Sequence, residues 1–205
     1  MPFKTKGRAS GISRRGFLKG VGAGTAAAGV VTGRSMDGVE AQGASPVQGP
    51  GELSVTLKVN GKDMAVSVEP RVTLLDALRN RLDITGAKKV CDRGTCGACT
   101  VVVDGQPAYA CSMLAVEAVG RDIKTIEGLG TPEKMAAIQK AFVEHDAQQC
   151  GFCTPGFVVA CASLLERNPN PTRDEVRAGL GGNLCRCGTY DGIIDAVLAA
   201  AKGGA

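Results

Sequence analysis

The chain has 205 residues, 44% hydrophobic but only 3% aromatic and with no Trp, so its core must be built largely from Ala, Val, Leu and Ile. The formal charge of +4 is unevenly placed: Lys4, Lys6, Arg8, Arg14, Arg15, Lys19 and Arg34 outweigh Asp37 and Glu40 in residues 1–50, while residues 51–205 sum to −1. The body lacks the basic stripe that nucleic-acid binding needs, and it has no apolar run of about 18 residues to span a bilayer.

Residues 1–44 read as a signal and linker. Ser13-Arg14-Arg15-Gly16-Phe17-Leu18-Lys19 resembles the twin-arginine export signal S-R-R-x-F-L-K at every position, ahead of a weakly apolar Gly/Ala stretch. Such a signal is an address read by a receptor and is set aside from fold reasoning. Cleavage is expected after Ala41 or Ala44, and the mature body is expected in the periplasm. This route carries proteins already folded, so any cofactor must be inserted before crossing.

The body begins with strands. Leu53, Val55, Leu57 and Val59 alternate with polar residues, and Met64, Val66 and Val68 continue the alternation beyond Asn60-Gly61, a strong hairpin signal. In "TLLDALRNRLDI", Leu74, Leu75, Leu78 and Leu82 share a helical face, with Thr73 as N-cap. "GAKKVCDRGTCGAC" is Gly-rich and reads as a loop. Two short strands follow around Asp104-Gly105, and one more over 122–129. Residues 51–129 thus predict an α+β sheet domain.

From Thr131-Pro132 the pattern turns helical, which predicts an all-α domain over 131–205. "PEKMAAIQKAFVEH" places Met135, Ile138, Phe142 and Val143 on one side, with Pro132 suited to a first helical turn. "PGFVVACASLLERN", "PTRDEVRAGL" and "YDGIIDAVLAAAK" supply three more helices, the second opening on the capping-box pair Thr172 and Glu175.

The nine cysteines carry the chemistry. Disulfides are the default in an exported protein. The odd total, the tight spacings and the surrounding glycines argue against them: the cysteines form two sets of four, with Cys161 left over. Cys91, Cys96 and Cys99, then Cys111, follow the C-x4-C-x2-C…C spacing of plant-type [2Fe–2S] sites. Three thiolates must converge from one loop, so Gly94 and Gly97 are expected to adopt positive φ and bring backbone N–H groups toward sulfur. Zinc sites more often show paired C-x2–4-C units. Cys150 and Cys153 with Cys185 and Cys187 are ambiguous alone. A four-thiolate zinc knot tolerates the spacing, whereas a thioredoxin-like pair wants a βαβ setting. A binuclear cluster suits the C-x-C pair, with Cys185 and Cys187 on one iron and Cys150 and Cys153 on the other.

Taken together and in order, "CDRGTCGACTVVVDG", "QCGFCTPGF" and "GGNLCRCGTY" resemble the small iron–sulfur subunit of the molybdenum hydroxylases: the xanthine dehydrogenase, aldehyde oxidoreductase and aerobic carbon monoxide dehydrogenase relatives. With the leader, the chain is most similar to exported, separate-chain aldehyde oxidoreductase subunits. The resemblance implies a β-grasp ferredoxin-like domain followed by a four-helix bundle, and two [2Fe–2S] clusters held by the two cysteine sets. It implies a large molybdopterin-binding partner, and an FAD-binding medium subunit or an external acceptor. Gln149 takes the place of a pterin-bonding Gln, and Cys187 that of a ligand whose sulfur also contacts the pterin. The implied role is electron transfer, with no catalytic residue of its own. The implied substrate of the partner is an aldehyde ahead of a purine, an N-heterocycle or carbon monoxide. Two other readings remain open at this stage: a stand-alone two-cluster ferredoxin and a zinc-stabilised periplasmic binding module. His145 is expected at a helix end and partly exposed, and Cys161 as a buried small hydrophobe. Lys88, Lys89, Arg93 and Arg186 stand near ligands as potential tuners or solvated charges. Phe152, Phe157 and Tyr190 stand near the second set as shields or packing residues.

Overall fold

The computed structural model describes Arg15 and residues 49–203. The twin-arginine stretch other than Arg15, and both expected cleavage points, lie outside the described residues. Residues 47–205 form one compact unit, an α+β arrangement of a mixed sheet and helices.

The sheet has five strands, β1 (Leu53–Val59), β2 (Lys62–Val68), β3 (Thr100–Val103), β4 (Gln106–Tyr109) and β5 (Asp122–Lys124), in the order β2-β1-β5-β3-β4. β1 runs parallel to β5; the other pairs are antiparallel. Both hairpins turn where the sequence places them. Asn60 and Gly61 have φ of 52° and 77°, Asp104 and Gly105 49° and 78°. Positive φ at both central residues is what a two-residue turn matched to strand twist requires. The first turn fixes the register Val59↔Lys62 to Leu53↔Val68, which puts Leu57, Val59, Val66 and Val68 inside.

Helix α1 (Leu74–Asn80) covers this face with Leu74, Leu75, Ala77 and Leu78. Thr73 caps it as expected, its hydroxyl accepting from Asp76 N at 3.1 Å. Leu82 lies past the helix end, half-buried against the same core.

Four helices follow: α2 (Ala137–Glu144), α3 (Thr154–Arg167), α4 (Arg173–Gly179) and α5 (Tyr190–Lys202). They share a second apolar core around Phe142, Phe157, Val176, Ile193 and Val197. The expected start at Pro132 is corrected. Residues 131–136 form a turn closed by reciprocal Thr131–Lys134 backbone bonds, both 3.1 Å. The helix begins only where Gln139 Oε1 accepts from Ala136 N at 2.8 Å. Met135 therefore lies off the helix, and Met135 and Val143 are exposed rather than part of the buried side, which is Ile138, Ala141 and Phe142. Helix α4 carries the expected capping box: Thr172 N donates to Glu175 Oε2 at 2.7 Å and Glu175 N to Thr172 Oγ1 at 3.3 Å.

Helix α3 packs against β3, so the two apolar cores meet across that strand. All four β3 residues are buried, which accounts for the unbroken apolar run "VVV". No helix among the described residues is long and apolar enough to cross a membrane.

Candidate iron–sulfur centres

All nine cysteines are free thiols. In the first set Cys91, Cys96 and Cys99 lie on the loop from α1 to β3, and Cys111 lies just after β4. That loop is fixed before it reaches the thiols. Arg79 donates to the carbonyls of Thr85 and Ala87 at 2.6 and 2.9 Å, and Gly86 N donates to Glu127 Oε1 at 2.7 Å. Asp92, Gly94 and Gly97 have φ of 55°, 69° and 69°, the conformation expected of the two glycines. Gly94 N then donates to Cys111 Sγ at 3.2 Å.

The Cys91 thiol is drawn down to about 6, foremost by the Thr95 hydroxyl and then by the N–H groups of Arg93 and Thr95. Burial pushes Cys99 up to about 12. Cys111 Sγ also lies 3.7 Å from Ser112 Oγ.

The second set is assembled from two chain segments: the turn leading into α3 and the turn leading into α5. Gly151 and Gly188 supply φ of 79° and 82°. Cys185 N donates to the Tyr190 hydroxyl at 2.9 Å, and Cys185 Sγ lies 3.1 Å from Thr189 Oγ1. Burial opposes ionisation of Cys185, but the Thr189 hydroxyl and N–H lead the groups that outweigh it and bring the thiol down to about 7. Burial pushes Cys153 up to about 12. The Phe152 N–H and then Cys187 hold Cys150 below its ordinary value. Cys150 and Cys187 are exposed.

Of the two C-x-C residues, Cys185 is buried and Cys187 is exposed.

The donor chemistry fits binuclear clusters. Each iron of a [2Fe–2S] centre takes two thiolates, so each set of four cysteines matches one such centre.

The neighbouring residues divide by role. Gln149 is exposed beside Cys150. Phe157 is fully buried and meets Tyr190 edge-on, with ring centroids 6.2 Å apart; Phe152 is exposed. Lys89 is paired with Asp76 and Asp92 at 2.9 and 3.2 Å, Lys88 donates to Thr85 O, and Arg93 donates to Cys91 O. Arg186 is exposed. His145 sits exposed at the end of α2, and Cys161 is completely buried within α3.

Sequence reasoning missed the contacts between the two thiol loops. Leu184 N donates to Cys96 O at 2.9 Å. Asn183 Nδ2 donates to Gly97 O at 2.9 Å and to Thr100 Oγ1 at 3.2 Å. The Tyr109 hydroxyl donates to Gly182 O at 2.8 Å. A Cβ on Gly156, in the first turn of α3, would collide with Gly97 O. The missed signal was "GGN" at 181–183, just ahead of Leu184-Cys185: two residues without side chains, then one small amide.

Comparison with known proteins agrees. Residues 57–123 match the 2Fe-2S iron-sulfur cluster binding domain family, and residues 125–198 the [2Fe-2S] binding domain family. Residues 11–31 match the twin-arginine translocation pathway signal sequence. Two such domains in tandem define an electron-carrying iron–sulfur protein with two [2Fe–2S] clusters.

The aldehyde oxidoreductase iron-sulfur-binding subunit PaoA of Escherichia coli (strain K12) is 42% identical over 93% of this chain and 88% of its own. The nicotine 6-hydroxylase small subunit of Paenarthrobacter nicotinovorans is 46% identical over 71% of this chain and 88% of its own. Quinoline 2-oxidoreductase from Pseudomonas putida 86 superposes with a TM-score of 0.72 at 46% identity, covering 75% of this chain and 96% of that one. The chain belongs to the iron–sulfur subunits of the molybdenum hydroxylases. It is an oxidoreductase subunit that transfers electrons, addressed by its leader to the periplasm.

Proposed function

We propose that the chain is the electron-exit subunit of an exported, aldehyde-oxidising molybdenum hydroxylase. Cys91, Cys96, Cys99 and Cys111 hold one cluster; Cys150, Cys153, Cys185 and Cys187 hold the other. The observation that carries this is the joining of the two thiol loops, with Leu184 N on Cys96 O and the Asn183 amide on Gly97 O. The architecture is read as a β-grasp domain over 51–129 and a four-helix bundle over 131–205, in keeping with the two cores.

Each cluster, when bound, takes up and releases one electron at a time, so a two-electron oxidation on the partner is handed on singly. The residues of this chain provide the setting. The Gly94 N–H faces Cys111 Sγ, and the Phe152 N–H holds Cys150 below its ordinary value. The Cys96–Leu184 hydrogen bond joins the chain at one set to the residue beside Cys185 in the other. The exposed side of the second set, with Gln149, Cys150, Cys187 and the open Phe152 and Leu184, faces the molybdopterin subunit. There Gln149 and Cys187 contact the pterin. The first set lies on the side of the acceptor, an FAD subunit or an external protein.

An aldehyde is favoured over an N-heterocycle because the match to the aldehyde oxidoreductase subunit extends over 93% of the chain, against 71% for the nicotine enzyme. Anaerobic purification followed by dithionite reduction tests the assignment. Two distinct rhombic EPR signals with about four iron and four labile sulfides per chain are expected. Stoichiometric zinc and no visible colour would sink it. Failure of any molybdopterin subunit to co-purify from the native host would favour a stand-alone ferredoxin.

A further inference from the structure

We propose that Asn183 is a positioning residue that fixes the spacing and orientation of the two thiol sets relative to each other. This rests on the assignment of the eight thiols to two clusters. Asn183 is a polar residue on the second thiol loop, yet it is only 6% exposed. Its amide donates to Gly97 O and to Thr100 Oγ1. Those two residues bracket Cys99, so one side chain from the second loop grips the first on both sides of a thiol.

The gripped carbonyl is a fixed point. Gly97 O also accepts from Thr100 N at 3.1 Å and from the Thr100 hydroxyl at 2.6 Å. The two loops have no slack between them: a Cβ at Gly97 would stand 2.6 Å from Asn183 Nδ2 and 2.7 Å from Gly182 O. On its other side Gly97 faces Gly156, three residues after Cys153. Three ligand-bearing segments therefore interlock at one glycine.

The Leu184–Cys96 and Tyr109–Gly182 bonds flank this point. Of the side-chain bridges between the loops, Asn183 supplies the buried one and the one with two bonds. Buried donors act in a low-dielectric setting and hold their geometry. A filler side chain would need only its shape; a strut needs its N–H groups.

The test uses the full iron-loaded chain and its Asn183→Asp and Asn183→Ala variants. Low-temperature EPR of the fully reduced protein reads the magnetic interaction between the two centres, as splitting or faster relaxation, which falls steeply with their separation. Iron content and each centre's own g-values are measured alongside. Asn183→Asp keeps the shape and loses the amide donors. The expected result is full iron, unchanged g-values and an altered interaction in both variants. An unaltered interaction in iron-replete Asn183→Asp overturns the proposal.

Should both variants fail to fold, Thr100→Val decides. It removes one acceptor of the Asn183 amide, together with the Thr100 hydroxyl's own bond to Gly97 O, at near-constant volume. A smaller change in the interaction supports the proposal, and none overturns it. Absence of two signals in the unsubstituted chain would instead refute the ligand assignment.

Discussion

The first thiol set comes from one stretch, 91–99, closed by Cys111 near the end of β4; the second is split between 150–153 and 185–187. The first is wrapped by its own loop, with Cys99 and Cys111 buried, whereas Cys150 and Cys187 of the second are exposed. A single loop must carry its own geometry, so it needs positive φ at Asp92, Gly94 and Gly97. Two helix entrances obtain theirs from packing, so fewer local signals are required. A centre closed by its own chain can work alone, while a half-open one suits a partner that completes it.

The largest expected effect separates the two by removing one. Cys99→Ser should abolish the first rhombic signal, lower iron from about four to about two per chain, and spare the second signal. The buried position of Cys99 in the sheet core adds a fall in melting temperature. Cys187→Ser should do the reverse to the signals with little loss of stability, since the residue is exposed. Equal loss of both signals in either variant would break the division into two sets.

Next comes the contact between the regions. Gly→Ala inside a helix usually stabilises. Gly156→Ala should instead destabilise by about 1–3 kcal/mol, because the new methyl meets Gly97 O and the neighbouring backbone is packed. Denaturant unfolding reads this, and a stabilised variant would show that the regions do not touch there. Gly151→Ala has open space around it but a φ of +79°, so about 1–2 kcal/mol of backbone strain is expected.

The smallest effects belong to the caps. Thr73→Ala and Thr172→Ala each remove a side-chain acceptor from a helix start, at about 0.5–2 kcal/mol. Similar costs in both would show that the two regions differ in how they hold thiols and not in how they hold helices.

What was legible in the sequence follows the same line. The β1–β2 register, the two hairpin turns and both threonine caps are set by residues within a few positions of each other, and pattern alone located them. The first set was legible because its spacing is the constraint. The start of α2 was not, since Gln139 and the Thr131–Lys134 turn, rather than Pro132, decide it. Asn183 was hidden as well: its partners lie 86 and 83 residues away.

Cys161 gives the chain a built-in gauge. In the proposed assignment of eight thiols to iron it is the one sulfhydryl left over, and it is 0% exposed in the middle of α3. Burial holds its pKa well above the ordinary thiol range. An alkylating reagent can reach it only when the helical core opens. The labelling rate of that single residue therefore reports the opening free energy of the region, in the way that hydrogen exchange reports protected amides.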